Sequence, residues 1–133
     1  MVTVLVVDDS AVDRLLAGRL LKKREGLVPI FANHGREALE VLRRERVDVV
    51  VTDLQMPEMD GLSLVQAIRS ELPWVPVILM TAHGSEETAV LALQRGAASY
   101  VPKRNLAQDL ASTVENVLEI TKVGRTHQQA IDR

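Results

Sequence analysis

Five polar side chains in this 133-residue sequence could carry chemistry together: Asp8, Asp9, Asp53, Thr81 and Lys103. Each stands at or just beyond the end of a short apolar run. The runs are Val2–Val7 for the acidic pair, Val47–Thr52 for Asp53, Val75–Met80 for Thr81 and Ser99–Val101 for Lys103. Three carboxylates gathered in one crevice repel one another and raise one another's pKa unless a cation sits among them. A hard divalent ion with oxygen ligands, Mg2+ above all, resolves that repulsion. An ammonium nearby stabilises charge on a transferring phosphoryl group without a base, and a carboxylate can itself be the nucleophile that forms an aspartyl phosphate. Asp53, on the central run, is the expected acceptor.

An aspartate after a strand is often only a helix cap, and Asp8 or Ser10 is placed to cap the first helix. Capping does not explain why acids end both the first and the third run while Thr81 and Lys103 end the fourth and fifth. The second run, Leu27–Ala32, ends in Asn33-His34 and adds nothing comparable.

The elements that must position these residues follow from periodicity. Val4–Val7 and Val77–Met80 are continuous apolar runs, and Val47–Val51 is broken only by Asp48, as strands buried on both faces require. Helical patterns separate them at Ala11–Arg24, Gly35–Arg46, Gly61–Glu71, Glu86–Arg95 and Leu106–Val123. The last places Leu106, Leu110, Val114, Val117, Leu118 and Thr121 on one stripe, with Asn105 and Gln108 as a capping box. Asp60-Gly61 and Ser85-Glu86 read as helix entries, Gly26 and Gly96 as helix stops, and Pro57, Pro73 and Pro76 fall at boundaries. Strict alternation predicts an α/β fold, a (βα)5 open parallel sheet with helices on both faces. In such sheets, sites form at the carboxyl ends of the strands. Residues 1–123 are expected to form one domain, with 124–133 a polar tail or the start of a linker.

Composition narrows the class. Apolar residues make up 47% of the chain, yet Phe31, Trp74 and Tyr100 are its only aromatics. An aliphatic core suits a sheet between helices. A net charge of −2 gives no field that would steer the protein to nucleic acid or to an anionic membrane. Lys22-Lys23-Arg24 and Arg43-Arg44 sit at helix ends, where cations complement the dipole. The absence of cysteine excludes a disulfide framework, a thiol nucleophile and thiolate metal sites. The opening apolar stretch lacks a basic leader and is far shorter than the ~20 residues of a membrane span, so a soluble, cytoplasmic protein is expected.

With these residues in view, the chain resembles the CheY-like receiver domains of two-component response regulators over about residues 2–122. The resemblance rests on Val6-Val7-Asp8-Asp9-Ser10, Asn33-His34-Gly35-Arg36-Glu37-Ala38-Leu39, Asp48–Pro57 around Asp53, Met59-Asp60-Gly61, Met80-Thr81-Ala82, Gly96–Tyr100 and Lys103. It implies a flavodoxin-like sheet of order 2-1-3-4-5. It also implies Asp53 as phosphoacceptor, Asp9 as a direct Mg2+ ligand (Mn2+ as a substitute) and Asp8 acting through water or by ordering the cation site. The main-chain carbonyl of Gln55 is implied as a further ligand, Thr81 as hydrogen-bonding the phosphoryl oxygen, Lys103 as pairing with it, and Tyr100 as changing position with Thr81. Gln55 and His83 match positions that tune phosphate lifetime, His83 serving equally well as a plain loop histidine. The implied donor is a sensor histidine kinase or phosphotransfer protein, the output a downstream protein or effector domain. Such a domain catalyses only its own phosphorylation and dephosphorylation.

One departure stands out. The family usually has proline directly after the lysine, often with a cis peptide bond, whereas here Pro102 precedes Lys103 and Arg104 follows. A cis bond at Lys103-Arg104 would cost about 3–4 kcal/mol, so the loop is either trans and differently shaped or strained.

Two other readings compete. A haloacid-dehalogenase-type phosphohydrolase would want a second aspartate two residues after the nucleophile, where Gln55 stands. A degenerate receiver, binding without phosphorylation, usually lacks one of the site residues, and all are present. For output, the fourth helix is apolar almost all round. Val90, Leu93 and Ala97 are expected to face the sheet, with Ala92 outward and Leu91 at the border. That surface, with the fifth strand and fifth helix, is a candidate partner or homodimer face. The polar end fits a free-standing protein or a piece of a longer regulator equally well.

Overall fold

Central strands buried at every position send alternate side chains to opposite faces of the sheet and so build two cores. The computed structural model describes residues 1–132, with side chains through Thr121. Its elements run β1 (Val2–Val7), α1 (Ala11–Lys22), β2 (Leu27–Ala32), α2 (Gly35–Arg44), β3 (Val49–Asp53), α3 (Gly61–Glu71), β4 (Val77–Thr81), α4 (Glu86–Gln94), β5 (Ser99–Pro102), a 3-10 turn at Lys103–Asn105, and α5 (Leu106–Asp132). All strand pairs are parallel, in the order β2-β1-β3-β4-β5. Leu5, Val7, Val50, Val77 and Leu79 point to one face, against Leu39, Leu42, Leu64 and Ile68 of α2 and α3. Val4, Val6, Val49, Val51, Ile78 and Met80 point to the other, against Ala17 and Leu21 of α1 and Leu106, Leu110 and Val114 of α5. Truncating one such side chain, Leu110→Ala for instance, should cost about 2–5 kcal/mol.

Pro29 and Pro102 occupy β2 and β5, the two edge strands, where a missing N–H need not break a ladder. Ser10 and Asp60 cap α1 and α3 by accepting from Asp13 N and Ser63 N. Gly26 and Gly96, with φ of 89° and 113°, follow α1 and α4 in the left-handed region that stops a helix.

Several expectations shift. β3 and β4 begin at Val49 and Val77 and run through Asp53 and Thr81. Both site residues are thus the last members of their strands, carried by the ladder to its end. Asn105 does not cap α5 from an extended position, because it lies within the 3-10 turn that leads into the helix. The expected facing of α4 is corrected in part: Ala97 is buried and Leu93 packs on the core as expected, but Ala92 is fully buried with Ala89 and Val90 is 51% exposed. Small side chains let the helix lie close to the sheet, which rotates the bulkier Val90 outward. Leu91 does reach the surface, as expected. The helical backbone passes the expected boundary at 123 and continues to Asp132. The side chains of the expected 124–133 tail lie outside the described residues.

Candidate functional site

Strand register brings the five residues together. Val7 pairs with Thr52, so Asp8 and Asp53 are the next residues out on adjacent strands. Asp53 pairs with Met80, which sets Thr81 one step further along its neighbour. Thr81 pairs with Pro102, and Lys103 follows. A parallel sheet in this register delivers all of them to one rim.

The carboxylates of Asp8, Asp9 and Asp53 offer oxygens that lie within 4.8 Å of one another. Asp8 is fully buried and Asp53 nearly so, while Asp9 is exposed. Asp8 is anchored by Ser10 N–H donating to Oδ1 at 2.9 Å, and Arg14 donates to its main-chain oxygen at 2.7 Å. Gln55 N–H donates to Asp53 Oδ1 at 3.4 Å, which places the Gln55 main chain at the rim. Burial pushes the Asp53 pKa up; Lys103 opposes the rise and the Asp8 charge adds to it. Three oxygen donors of one sign, two of them buried, suit a hard cation such as Mg2+.

Lys103 reaches into the same cluster. Its Nζ donates to Asp13 Oδ2 at 2.8 Å and to Asp8 Oδ2 at 3.2 Å, and lies 3.5 Å from Asp53 Oδ2. Burial works against the ammonium, yet the Asp13 hydrogen bond with the charges of Asp53 and Asp8 holds its pKa above the ordinary lysine value. The described residues contain no cis peptide bond. Lys103-Arg104 is therefore trans, and Lys103 opens the 3-10 turn instead of preceding a fixed ring.

Thr81 is 4% exposed, and no hydrogen bond to its hydroxyl occurs among the described residues. A buried hydroxyl without a partner costs free energy. Tyr100 lies on edge strand β5, paired with Leu79 and partly exposed. His83 is exposed in the loop before α4.

Two features escaped sequence reasoning. Asp13 is the shortest partner of Lys103, and its position in the first turn of α1, four residues past Asp9, was the available signal. A hollow of about 320 Å³ lined by Asp9, Asn33, His34, Pro57 and Glu58 adjoins the acidic rim. His34 there has a structural task, since its Nδ1 accepts from Glu37 N and caps α2.

The sequence model of the response regulator receiver domain matches residues 4–115. The chain belongs to that family. Transcriptional regulatory protein GlrR of Escherichia coli K12 is 43% identical over 115 residues, covering 86% of this chain and 26% of that protein. The crystal structure of NtrX from Brucella abortus superposes with a TM-score of 0.90 at 32% identity, covering 98% of this chain and 30% of that one. A receiver domain from Clostridium thermocellum gives a TM-score of 0.86 at 30% identity, covering 92% of this chain and 98% of that one. This receiver domain of a two-component response regulator, a signalling switch, thus spans about a quarter of the length of its curated relative.

Proposed function

We propose that this receiver accepts a phosphoryl group on Asp53 from a sensor histidine kinase or phosphotransfer protein and so switches a protein-binding surface. The observation that carries the reading is the convergence of Asp53, the unpartnered Thr81 hydroxyl and Lys103 on one acidic rim.

An Asp53 carboxylate oxygen forms the new P–O bond in line as the P–N bond to the kinase imidazole breaks. The leaving nitrogen keeps the bonding pair. Asp9, Asp53 and the Gln55 carbonyl would hold Mg2+ (Mn2+ as a substitute), with Asp8 acting through water or by ordering the site, and the ion would neutralise charge at the phosphoryl oxygens. Lys103 offers an N–H donor and a positive charge to the same oxygens. Phosphoryl transfer of this kind is mostly positioning and electrostatics, so neither a general base nor a second carboxylate at position 55 is required. This chemistry acts on the protein itself and turns over no separate substrate.

The new group adds up to about two negative charges and strong acceptors. Thr81 moves to donate to it, Tyr100 follows, and the loops after β3 and β4 shift between two pre-existing arrangements. The output surface is the α4–β5–α5 face, where Val90, Leu91 and Tyr100 are exposed. It engages an effector domain, a downstream protein or a second copy. In this reading residues 1–123 form the receiver, with 124–133 a polar tail or the start of a linker. GlrR is a transcriptional regulatory protein; in our reading transcriptional output belongs to parts of such proteins beyond the matched segment, and this chain touches no nucleic acid directly. No helix among the described residues is long and apolar enough to cross a membrane, and we place the domain in the cytoplasm.

Reductive trapping of the acyl phosphate with borohydride, followed by peptide mass mapping, tests the site. Conversion of Asp53 alone to homoserine is expected. Conversion at another carboxylate, or at none in protein that has gained phosphate, would sink the assignment.

A further inference from the structure

We propose that Asp13 is a positioning residue for Lys103, holding the ammonium in the resting protein and releasing it on phosphorylation, so that it sets how readily Asp53 accepts a phosphoryl group. The inference rests on the reading of Asp53 as phosphoacceptor.

The geometry ranks the partners of Lys103. Nζ donates to Asp13 at 2.8 Å and to Asp8 at 3.2 Å, whereas Asp53 is the most distant of the three, at 3.5 Å. An ammonium has three N–H groups, and two are committed away from the acceptor. Asp8 cannot leave: it is fully buried and bonded by Ser10 N. Asp13 can, because its side chain is 37% exposed in the first turn of α1 and can turn to water. Asp13 is therefore the exchangeable partner, and a phosphoryl group on Asp53 must draw Lys103 from it.

The chain around Lys103 gives Asp13 this task. The lysine begins a 3-10 turn through a trans peptide, with Arg104 next. No ring follows it to fix the backbone, so the tip of the side chain is held from across the rim by α1. That contact competes with the phosphoryl oxygens for the donors of Lys103, while the buried Asp8 keeps the ammonium beside Asp53.

The test measures the rate of phosphoryl uptake from acetyl phosphate with Mg2+, as a function of donor concentration, on the full chain. Asp13→Asn should raise the saturating rate about two- to fivefold, the scale of one half-exposed ion pair, with the half-saturating donor concentration unchanged. Asp13→Glu, which can still reach the ammonium, should restore the wild-type rate. In a Lys103→Gln background, Asp13→Asn should add nothing. An unchanged rate in Asp13→Asn, with wild type phosphorylated normally, would overturn the tether alone. A gain that persists without Lys103 would overturn it too, since the charge of Asp13 would then act through space. A wild type that takes up no phosphoryl group would overturn the phosphoacceptor reading, and the tether with it.

Discussion

Gly61 and Asp53 meet backbone to backbone: a Cβ on Gly61 would stand 2.6 Å from the main-chain oxygen of Asp53 and 2.7 Å from Leu54 Cα. The Gly61 N–H also donates to Leu54 O at 2.7 Å. The first residue of α3 therefore rests on the last residue of β3. Gly61→Ala must push the two apart, at an expected cost of about 1–3 kcal/mol in chemical denaturation, together with slower phosphoryl uptake. An alanine variant with wild-type stability and uptake would show that the contact yields easily.

Asp53 should cost the fold stability at neutral pH. Burial raises its pKa, so the folded protein holds the proton more tightly than the unfolded chain. That contribution is complete below the ordinary carboxylate pKa and is lost as pH rises through the raised value. Asp53→Asn, isosteric and neutral, should be more stable than wild type at pH 7, because it carries no buried charge to desolvate. Lys103 keeps Asp8 and Asp13 as partners, so no ammonium is orphaned. Denaturation midpoints of the two proteins should converge in strong acid; a gap that widened there would reverse the sign.

Substitution of Asp9 should separate metal binding from folding. It is exposed, and no hydrogen bond or ion pair to it occurs among the described residues. Asp9→Asn should leave metal-free stability within about 0.5 kcal/mol of wild type. Mg2+ at a hundredfold excess over its Kd should stabilise wild type by about 2.7 kcal/mol, and the variant should lose most of that increment. Thermal melts with Mg2+ and with EDTA check both statements, and an equal Mg2+ response in the two proteins would remove Asp9 from the site.

The rim was legible in the sequence because a parallel sheet leaves little freedom. Once Val4–Val7, Val49–Val51 and Val77–Met80 are strands, Asp8, Asp53 and Thr81 must lie at one end of them. What sequence could not reach depended on rotation and reach. The facing of α4 turned on how closely Ala89 and Ala92 let it approach the sheet, which an almost wholly apolar helix does not reveal. Asp13 is not legible in the sequence because its link to Lys103 spans ninety positions and depends on the shape of the turn after β5. The missing proline after Lys103 flagged that turn as unusual without describing it.

Thr81 should trade stability against response. Its hydroxyl is buried and unpartnered, so Thr81→Val removes an unsatisfied group while keeping the shape. We expect stability unchanged or raised by about 1 kcal/mol, uptake of phosphate retained, and a blunted change at the α4–β5–α5 face. Amide chemical shifts with and without phosphodonor read that response; a full wild-type response in the valine variant would break the coupling.

Intact-protein mass after incubation with acetyl phosphate, with and without Mg2+, on wild type and Asp53→Asn, tests the central claim most directly. Wild type should gain one phosphoryl group in a reaction that requires Mg2+, and the variant should gain none. A wild type that stays unmodified, or an Asp53→Asn protein that gains the same mass, would contradict it.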